Sequence, residues 1–256
     1  MVLEIDKKSN KIEKKNLTNN GYKQRRIELL TFIQKKTSNL KYKLKTFYLA
    51  VSYIDTILLT QNNFNVDFEL VALVCLLIAG KVNYYYLVKF DEEDAIIPDF
   101  CDFGFINYKK FYTEEEIRRY EVMCLLLLDY NVKISTQYNF LYNLCLNGIL
   151  FSDECAFDEV KNLKVIQPLP VKFNEEMTNL EKLYKLSFDI LEIVVFNKID
   201  SLDASYTNYS PFKLACAIIA LVRDLYGFKN WNERLKNIYK IDFDTDLINS
   251  FKFIKR

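Results

Sequence analysis

The sequence has no histidine, only five glycines and only four prolines among its 256 residues. Without histidine, the chain lacks His-based catalytic triads, His general bases and His metal ligands. It also contains no GxGxxG or GxxxxGK[ST] phosphate-binding loop. No nucleophile, base and oxyanion donors can be assembled from the remaining residues. We therefore expect a protein that is not an enzyme and that needs neither a cofactor nor a metal.

Charge excess is also missing, since 35 basic and 34 acidic residues leave a net charge of +1. Proteins that bind a phosphate backbone usually carry an excess of Lys and Arg, so we expect no nucleic acid partner. The longest apolar run, Leu70–Gly80, is shorter than the ~18 residues of a membrane span. The polar N-terminus does not resemble a signal peptide. These features predict an intracellular chain, in the cytoplasm, the nucleus or both, without a membrane partner.

The six cysteines form no CxxC pair, and most of them lie in apolar runs. In such surroundings cysteine behaves as a small hydrophobic residue. We expect reduced thiols in the core of the protein.

Apolar periodicity predicts an all-α fold, and the few Gly and Pro residues disfavour a sandwich or barrel. Predicted helices span 24–36, 44–59, 68–82, 114–129, 136–148, 180–197, 210–226, 231–239 and 244–252. Leu70–Ala79 and Leu214–Val222 are apolar on every side, and such helices must be surrounded by others. One such helix in each half indicates an internal duplication of a helical bundle around a central apolar helix.

The domain boundaries follow from breaks in this pattern. We expect a polar N-terminal arm at 1–21, a first bundle at 22–149 with an insertion at 84–112, a bridging segment at 150–178 and a second bundle at 179–256. The helix that begins at Phe68 is predicted to end at Ala79-Gly80-Lys81, where charge returns. Thr113 and Glu116 have the spacing of a capping box and predict the start of the next helix.

An ordered series of short motifs runs along the chain. These are RRIELLTFI from Arg25, FYLAVSYID from Phe47, the apolar helix Glu69–Lys81, YEVMCLLLLDYNV from Tyr120 and YSP from Tyr209. Together they resemble the cyclin family, more closely in the first repeat than in the second. The resemblance implies an all-α fold of two tandem cyclin-fold five-helix bundles, each around a central apolar helix. It also implies a non-catalytic subunit that binds and activates a cyclin-dependent protein kinase.

The resemblance also implies an ion pair between the first two helices. Arg26 and Asp55 occupy positions that the family pairs with each other, and both lie beside apolar stripes. Because a buried charge needs a partner, we expect this pair to have a structural role.

Lys81 and Glu121 match the charged centre of the family's kinase-binding face. In the family, these positions bind the kinase backbone near its regulatory helix and hold that helix inward. The inward position completes the kinase's own Lys–Glu pair, which phosphoryl transfer requires. The apolar surround of this face corresponds here to Val82, Leu125, Tyr130 and Val132.

A second family site, an apolar groove for R-x-L substrate motifs, is expected not to be used. Arg25 and Glu28 stand at two of its apolar positions, and a charged floor desolvates a leucine poorly.

Two other functions remain open. In the first, the chain is a cyclin-fold scaffold in a larger assembly, cytoskeletal or otherwise, without kinase activation. The insertion favours this reading, as does Val82-Asn83-Tyr84, which lacks the two acids usual after the family's lysine. In the second, the chain is a nucleic-acid-bound transcription factor with cyclin-type repeats, which the neutral charge disfavours.

Overall fold

The computed structural model describes residues 19–60, 66–89, 105–107, 110–149, 151, 179–197 and 210–242. These residues form eight helices and one short antiparallel hairpin. The elements are α1 (Asn19–Asn39), α2 (Leu44–Thr60), α3 (Phe68–Lys89), β1 (Phe105–Asn107), β2 (Lys110–Phe111), α4 (Glu114–Leu127), α5 (Gln137–Gly148), α6 (Asn179–Asn197), α7 (Pro211–Leu225) and α8 (Glu233–Tyr239). The prediction of a helical fold is confirmed, and the hairpin lies inside the predicted insertion. The predicted arm, bridging segment and last helix lie almost wholly outside the described residues.

The first half of the fold surrounds α3. Every residue from Leu70 to Gly80 is buried, and α3 packs against α1, α2 and α4. By length and composition Phe68–Tyr85 could cross a membrane, but most of this stretch is buried by its neighbours. A helix that is apolar on every side needs such enclosure, so the predicted central helix is confirmed.

The predicted end of α3 is wrong. The helix continues beyond Ala79-Gly80-Lys81 to Lys89, so the irregular segment does not begin at Tyr84. Lys81 therefore lies inside the helix and does not cap its dipole. Charge returns there because the helix emerges from its neighbours: residues 70–80 are buried, whereas residues 81–85 are partly or largely exposed.

The chain returns from the insertion beside the start of α3. The Tyr112 hydroxyl donates to Asp67 Oδ2 over 2.7 Å. Asp67 Oδ1 also accepts from the backbone N–H groups of Glu69 and Leu70 at the first turn of α3. The capping box of Thr113 and Glu116 is confirmed and starts α4 immediately afterwards. These bonds fix both α3 and α4 at their N-terminal ends.

The second half surrounds α7. All residues from Leu214 to Arg223 are buried, and α7 packs against α5 and α6. Ser210 accepts a hydrogen bond from the Lys213 backbone N–H, and Pro211 occupies the first helical position, where it needs no donor. The predicted enclosure of Leu214–Val222 is therefore confirmed.

Aromatic contacts join α2 to the two helices that pack against α7. Phe47 of α2 stacks on Phe196 of α6 with ring centroids 5.9 Å apart. Tyr48 of α2 stacks on Tyr138 of α5 at 5.1 Å. Such pairs add about 0.5–1.5 kcal/mol each beyond the apolar area that they bury.

Arg223 is a feature that the sequence reasoning missed. This arginine is fully buried at the end of α7. Its Nη1 donates to the Ile149 carbonyl over 2.8 Å, and its Nε donates to the Lys229 carbonyl over 3.0 Å. The rings of Phe151 and Phe228 lie 5.6 and 5.7 Å from the guanidinium carbon. Arg223 thus ties the end of α5 to the loop after α7.

We expect Arg223→Met to lower the free energy of unfolding by about 2–3 kcal/mol, because two buried carbonyls lose their donor. Urea unfolding would measure this loss. The matched control is Arg234→Met, since Arg234 also lies over the Phe151 ring but is exposed. We expect this control to change stability by less than about 0.5 kcal/mol. Equal stability of the two variants would contradict the structural role of Arg223.

Candidate functional site

Arg26 and Asp55 meet between α1 and α2. Arg26 Nε and Nη2 donate to the two carboxylate oxygens of Asp55, each over 2.8 Å. The Arg26 side chain is only 1% exposed. Its Nη1 donates further to the backbone carbonyl of Val195 in α6, over 2.5 Å. Arg26 therefore joins three helices, its own α1 with α2 and α6. Its bidentate contact with the Asp55 carboxylate is the strong form of an Arg–carboxylate interaction.

Lys81 and Glu121 also meet, on the adjacent helices α3 and α4. Lys81 Nζ lies 2.6 Å from Glu121 Oε1. The Lys81 side chain is 39% exposed and that of Glu121 is 16% exposed. The two charges thus form one partly desolvated pair at the surface, a contact that the sequence did not predict.

Apolar side chains that are partly or largely exposed lie on the same two helices and on the turn after α4. Val82, Leu125 and Val132 are partly buried, whereas Tyr130 is more than half exposed. We define the α3–α4 face as Lys81, Val82, Tyr85, Glu121, Val122, Leu125, Leu126, Tyr130 and Val132. Exposed apolar groups in such a concentration are typical of interaction surfaces.

Three members of this face were missed by the sequence reasoning. Tyr85, Val122 and Leu126 are each more than half exposed. Leu126 has the apolar character of a core residue, but its side chain is 55% exposed. The spacing could have found two of them, because Val122 and Leu126 are four residues apart and share one side of α4.

The turn after α4 has an unusual backbone. Asp129 and Tyr130 are consecutive residues in the left-handed region, with φ of 50° and 56°. This conformation costs about 1–2 kcal/mol for each residue other than glycine. The Tyr130 N–H donates to the Leu125 carbonyl over 2.8 Å and closes the turn onto α4. The turn places Tyr130 on the surface next to the helix end.

The surface at the groove positions is charged. Arg25 Nη2 lies 3.4 Å from Glu69 Oε1, and the Arg25 guanidinium carbon lies 5.8 Å from the centre of the Phe68 ring. Glu28 is exposed. An exposed pair of this kind adds little stability. It does place a charged group over the ring of Phe68, where an apolar ligand would have to desolvate it.

The described cysteines offer no reactive group. Cys75, Cys124, Cys145 and Cys216 are free and buried, as predicted, whereas Cys101 and Cys155 lie outside the described residues. Burial raises the pKa of the Cys145 and Cys216 thiols to about 12, so both stay protonated near neutral pH. Within the described ranges, no group of three or more acidic or cysteine side chains could hold a metal ion.

Comparison with curated proteins identifies two relatives. G2/mitotic-specific cyclin-A of Drosophila melanogaster is 22% identical over 216 residues, which cover 84% of this chain and 35% of the relative. Cyclin-D1-1 of Arabidopsis thaliana is 25% identical over 119 residues, which cover 45% of this chain and 32% of the relative. The chain therefore matches about a third of the length of each.

Among solved structures, the fold is similar to a viral cyclin from herpesvirus saimiri. The TM-score is 0.57, the sequence identity is 15%, and the match covers 94% of this chain and 85% of the other. At this identity the likeness concerns the fold alone. The family described as "Cyclin, N-terminal domain" matches residues 3–133, which is just over half of the 256 residues. The motif series, the helical fold and this match agree, and the chain belongs to the cyclin family.

Proposed function

We propose that this chain is a regulatory subunit that binds and activates a cyclin-dependent protein kinase through its α3–α4 face. The observation that carries the proposal is the Lys81–Glu121 pair, held at 2.6 Å beside exposed apolar side chains. These residues match the family's binding positions, and the relatives are named as cyclins. The chain supplies no catalytic group of its own in this proposal.

The face has the composition of an interface. Aromatic residues are enriched at protein interfaces, and Tyr85 and Tyr130 are both more than half exposed. Tyrosine brings a large contact area with few rotatable bonds, so little conformational entropy is lost on binding. The pair of Lys81 and Glu121 is already formed in the free chain, which further reduces the ordering that binding requires.

Activation then follows from a shift in the kinase's conformations. A kinase whose regulatory helix moves between two positions is biased by any partner that binds one of them more tightly. A partner that holds the helix inward favours the state in which the kinase Lys–Glu pair is complete. The α3–α4 face provides a donor, an acceptor and apolar contacts for that helix.

The proposal includes two tandem five-helix bundles at 22–149 and 179–256, joined by 150–178. The support is that each half has one helix buried on every side, Leu70–Gly80 in α3 and Leu214–Arg223 in α7. α5 packs against both α2 and α7, so it connects the bundles. The proposed place of action is inside the cell, in the cytoplasm, the nucleus or both.

Co-purification and kinase assays test the function. The purified chain would be mixed with a panel of cyclin-dependent kinases, and phosphate transfer to a peptide would be measured. We expect at least one kinase to bind and to gain at least about tenfold in activity. Leu126→Glu should weaken binding by more than about tenfold, because it introduces a charge at a desolvated interface.

The matched control is Ile238→Glu, since Ile238 is also an exposed apolar residue but lies on α8, in the second bundle. This variant should bind and activate as the wild type does. If no kinase binds the wild-type chain, the proposal is wrong.

A scaffold role is the second candidate. The observation that favours it is Asn83, whose Nδ2 donates to Thr46 Oγ1 of α2 over 3.1 Å. The family usually has an acid near this position, and here the side chain bonds inside the protein. Recovery of a multi-protein assembly that lacks any kinase would favour this candidate.

A further inference from the structure

Tyr53 connects the core to the turn that carries Tyr130. The Tyr53 side chain is fully buried in α2. Its hydroxyl donates to the backbone carbonyl of Val132 over 2.5 Å, a contact between residues 79 positions apart. The acceptor lies three residues after Asp129, where the left-handed backbone begins.

The turn otherwise bonds to itself and to its own helix. The Tyr130 N–H donates to the Leu125 carbonyl over 2.8 Å, and the Val132 N–H donates to the Tyr130 carbonyl over 3.0 Å. These bonds set the shape of the turn relative to α4. The Tyr53 bond is different because it joins the turn to α2, and α2 belongs to the core.

A phenylalanine at position 53 could fill almost the same space as tyrosine. The ring of Tyr53 already packs among apolar residues of the core. A hydroxyl in such a place needs an acceptor, and here the acceptor is a carbonyl of a turn with two left-handed residues. The ring therefore accounts for the packing in the core, and the hydroxyl serves to hold the turn in position.

We propose that Tyr53 is a positioning residue of the α3–α4 face, which acts through Tyr130. Its hydroxyl holds the Val132 carbonyl and so fixes the direction in which Tyr130 leaves the turn. This inference rests on the proposed function, since it assigns Tyr53 a part in kinase binding without contact to the kinase. The kinase gains affinity because Tyr130 is ordered before binding.

The test is Tyr53→Phe, which removes the hydroxyl and keeps the ring. We expect amide signals of residues 129–133 in NMR spectra to shift and to exchange faster with solvent. We expect kinase affinity to fall about five- to tenfold, the range for one hydrogen bond. The matched control is Tyr239→Phe, because the Tyr239 hydroxyl in α8 also donates to a backbone carbonyl, that of Leu144 in α5. The control should change neither the amide signals of residues 129–133 nor the kinase affinity.

A double variant separates positioning from general stability. If Tyr53 acts through Tyr130, Tyr130→Ala and Tyr53→Phe/Tyr130→Ala should bind the kinase with equal affinity. An additive loss in the double variant would overturn the inference, and so would unchanged amide signals and affinity in Tyr53→Phe. If the wild type binds no kinase, the proposed function fails, while the amide signals still decide whether Tyr53 positions the turn.

Discussion

We expect Asp55→Asn to lower the free energy of unfolding by about 3–5 kcal/mol. The substitution removes the carboxylate but leaves the Arg26 guanidinium in place, and that side chain is only 1% exposed. An uncompensated buried charge is strongly destabilising because the protein interior cannot solvate it as water does. An amide offers one neutral acceptor where the carboxylate offered two charged ones.

The third bond of Arg26 increases the expected loss. Its Nη1 also donates to the Val195 carbonyl in α6, so the guanidinium cannot turn toward solvent without breaking that contact. At these contacts Arg26 would keep neutral acceptors, the Val195 carbonyl and the amide oxygen at position 55, and would lose the Asp55 counter-charge. The loss should therefore affect the packing of α1 against both α2 and α6.

Urea unfolding of a double-mutant cycle would measure the pair. Arg26→Met should also destabilise, and the double variant should lose less than the sum of the single losses, because neither partner is then left alone. The matched control is Glu114→Gln, which breaks the exposed pair of Glu114 with Arg118. The control should change stability by less than about 1 kcal/mol. Unchanged stability of Asp55→Asn would contradict a structural role for the pair.

The sequence predicted the parts of the fold that depend on burial on all sides. Leu70–Ala79 and Leu214–Val222 are apolar without interruption. A helix that is apolar on every side is stable in a protein only when other elements enclose it. The capping box at Thr113 was equally predictable, since its two bonds join residues three apart. The pairing of Arg26 with Asp55 came from the family resemblance.

The sequence did not predict features that depend on which neighbour covers which side. The return of charge at Lys81 was interpreted as a helix end, although it marks the place where α3 leaves its neighbours. Leu126 looks like a core residue by type, but the core side of α4 is already supplied by Ile117 and Cys124. The carbonyl partners of Arg223 could not be foreseen, because backbone acceptors leave no trace in side-chain patterns.

We expect Glu121→Lys to weaken kinase binding by about 2–5 kcal/mol, or roughly thirtyfold to several thousandfold. The variant puts two lysines side by side at the centre of the α3–α4 face and removes the carboxylate that we propose accepts from a kinase N–H. The fold should survive, because Lys81 is 39% exposed and can move its ammonium group into solvent. Calorimetry of the complex and thermal unfolding of the free chain would measure the two effects.

The matched control for this reversal is Glu114→Lys in the same helix. Glu114 also faces a cation, Arg118, but both side chains are more than half exposed. Its reversal should leave kinase affinity unchanged and alter stability by about 1 kcal/mol or less. Loss of binding in both variants would show only a general response to added positive charge on α4.

The swap Lys81→Glu/Glu121→Lys then distinguishes two roles of the pair. It restores an ion pair between α3 and α4, so the stability of the free chain should return close to that of the wild type. If the kinase binds the donor and the acceptor at their own positions, affinity should stay low, because each now stands where the other is needed. Full recovery of binding would mean that the pair only joins the two helices, and wild-type affinity of Glu121→Lys alone would contradict the binding face.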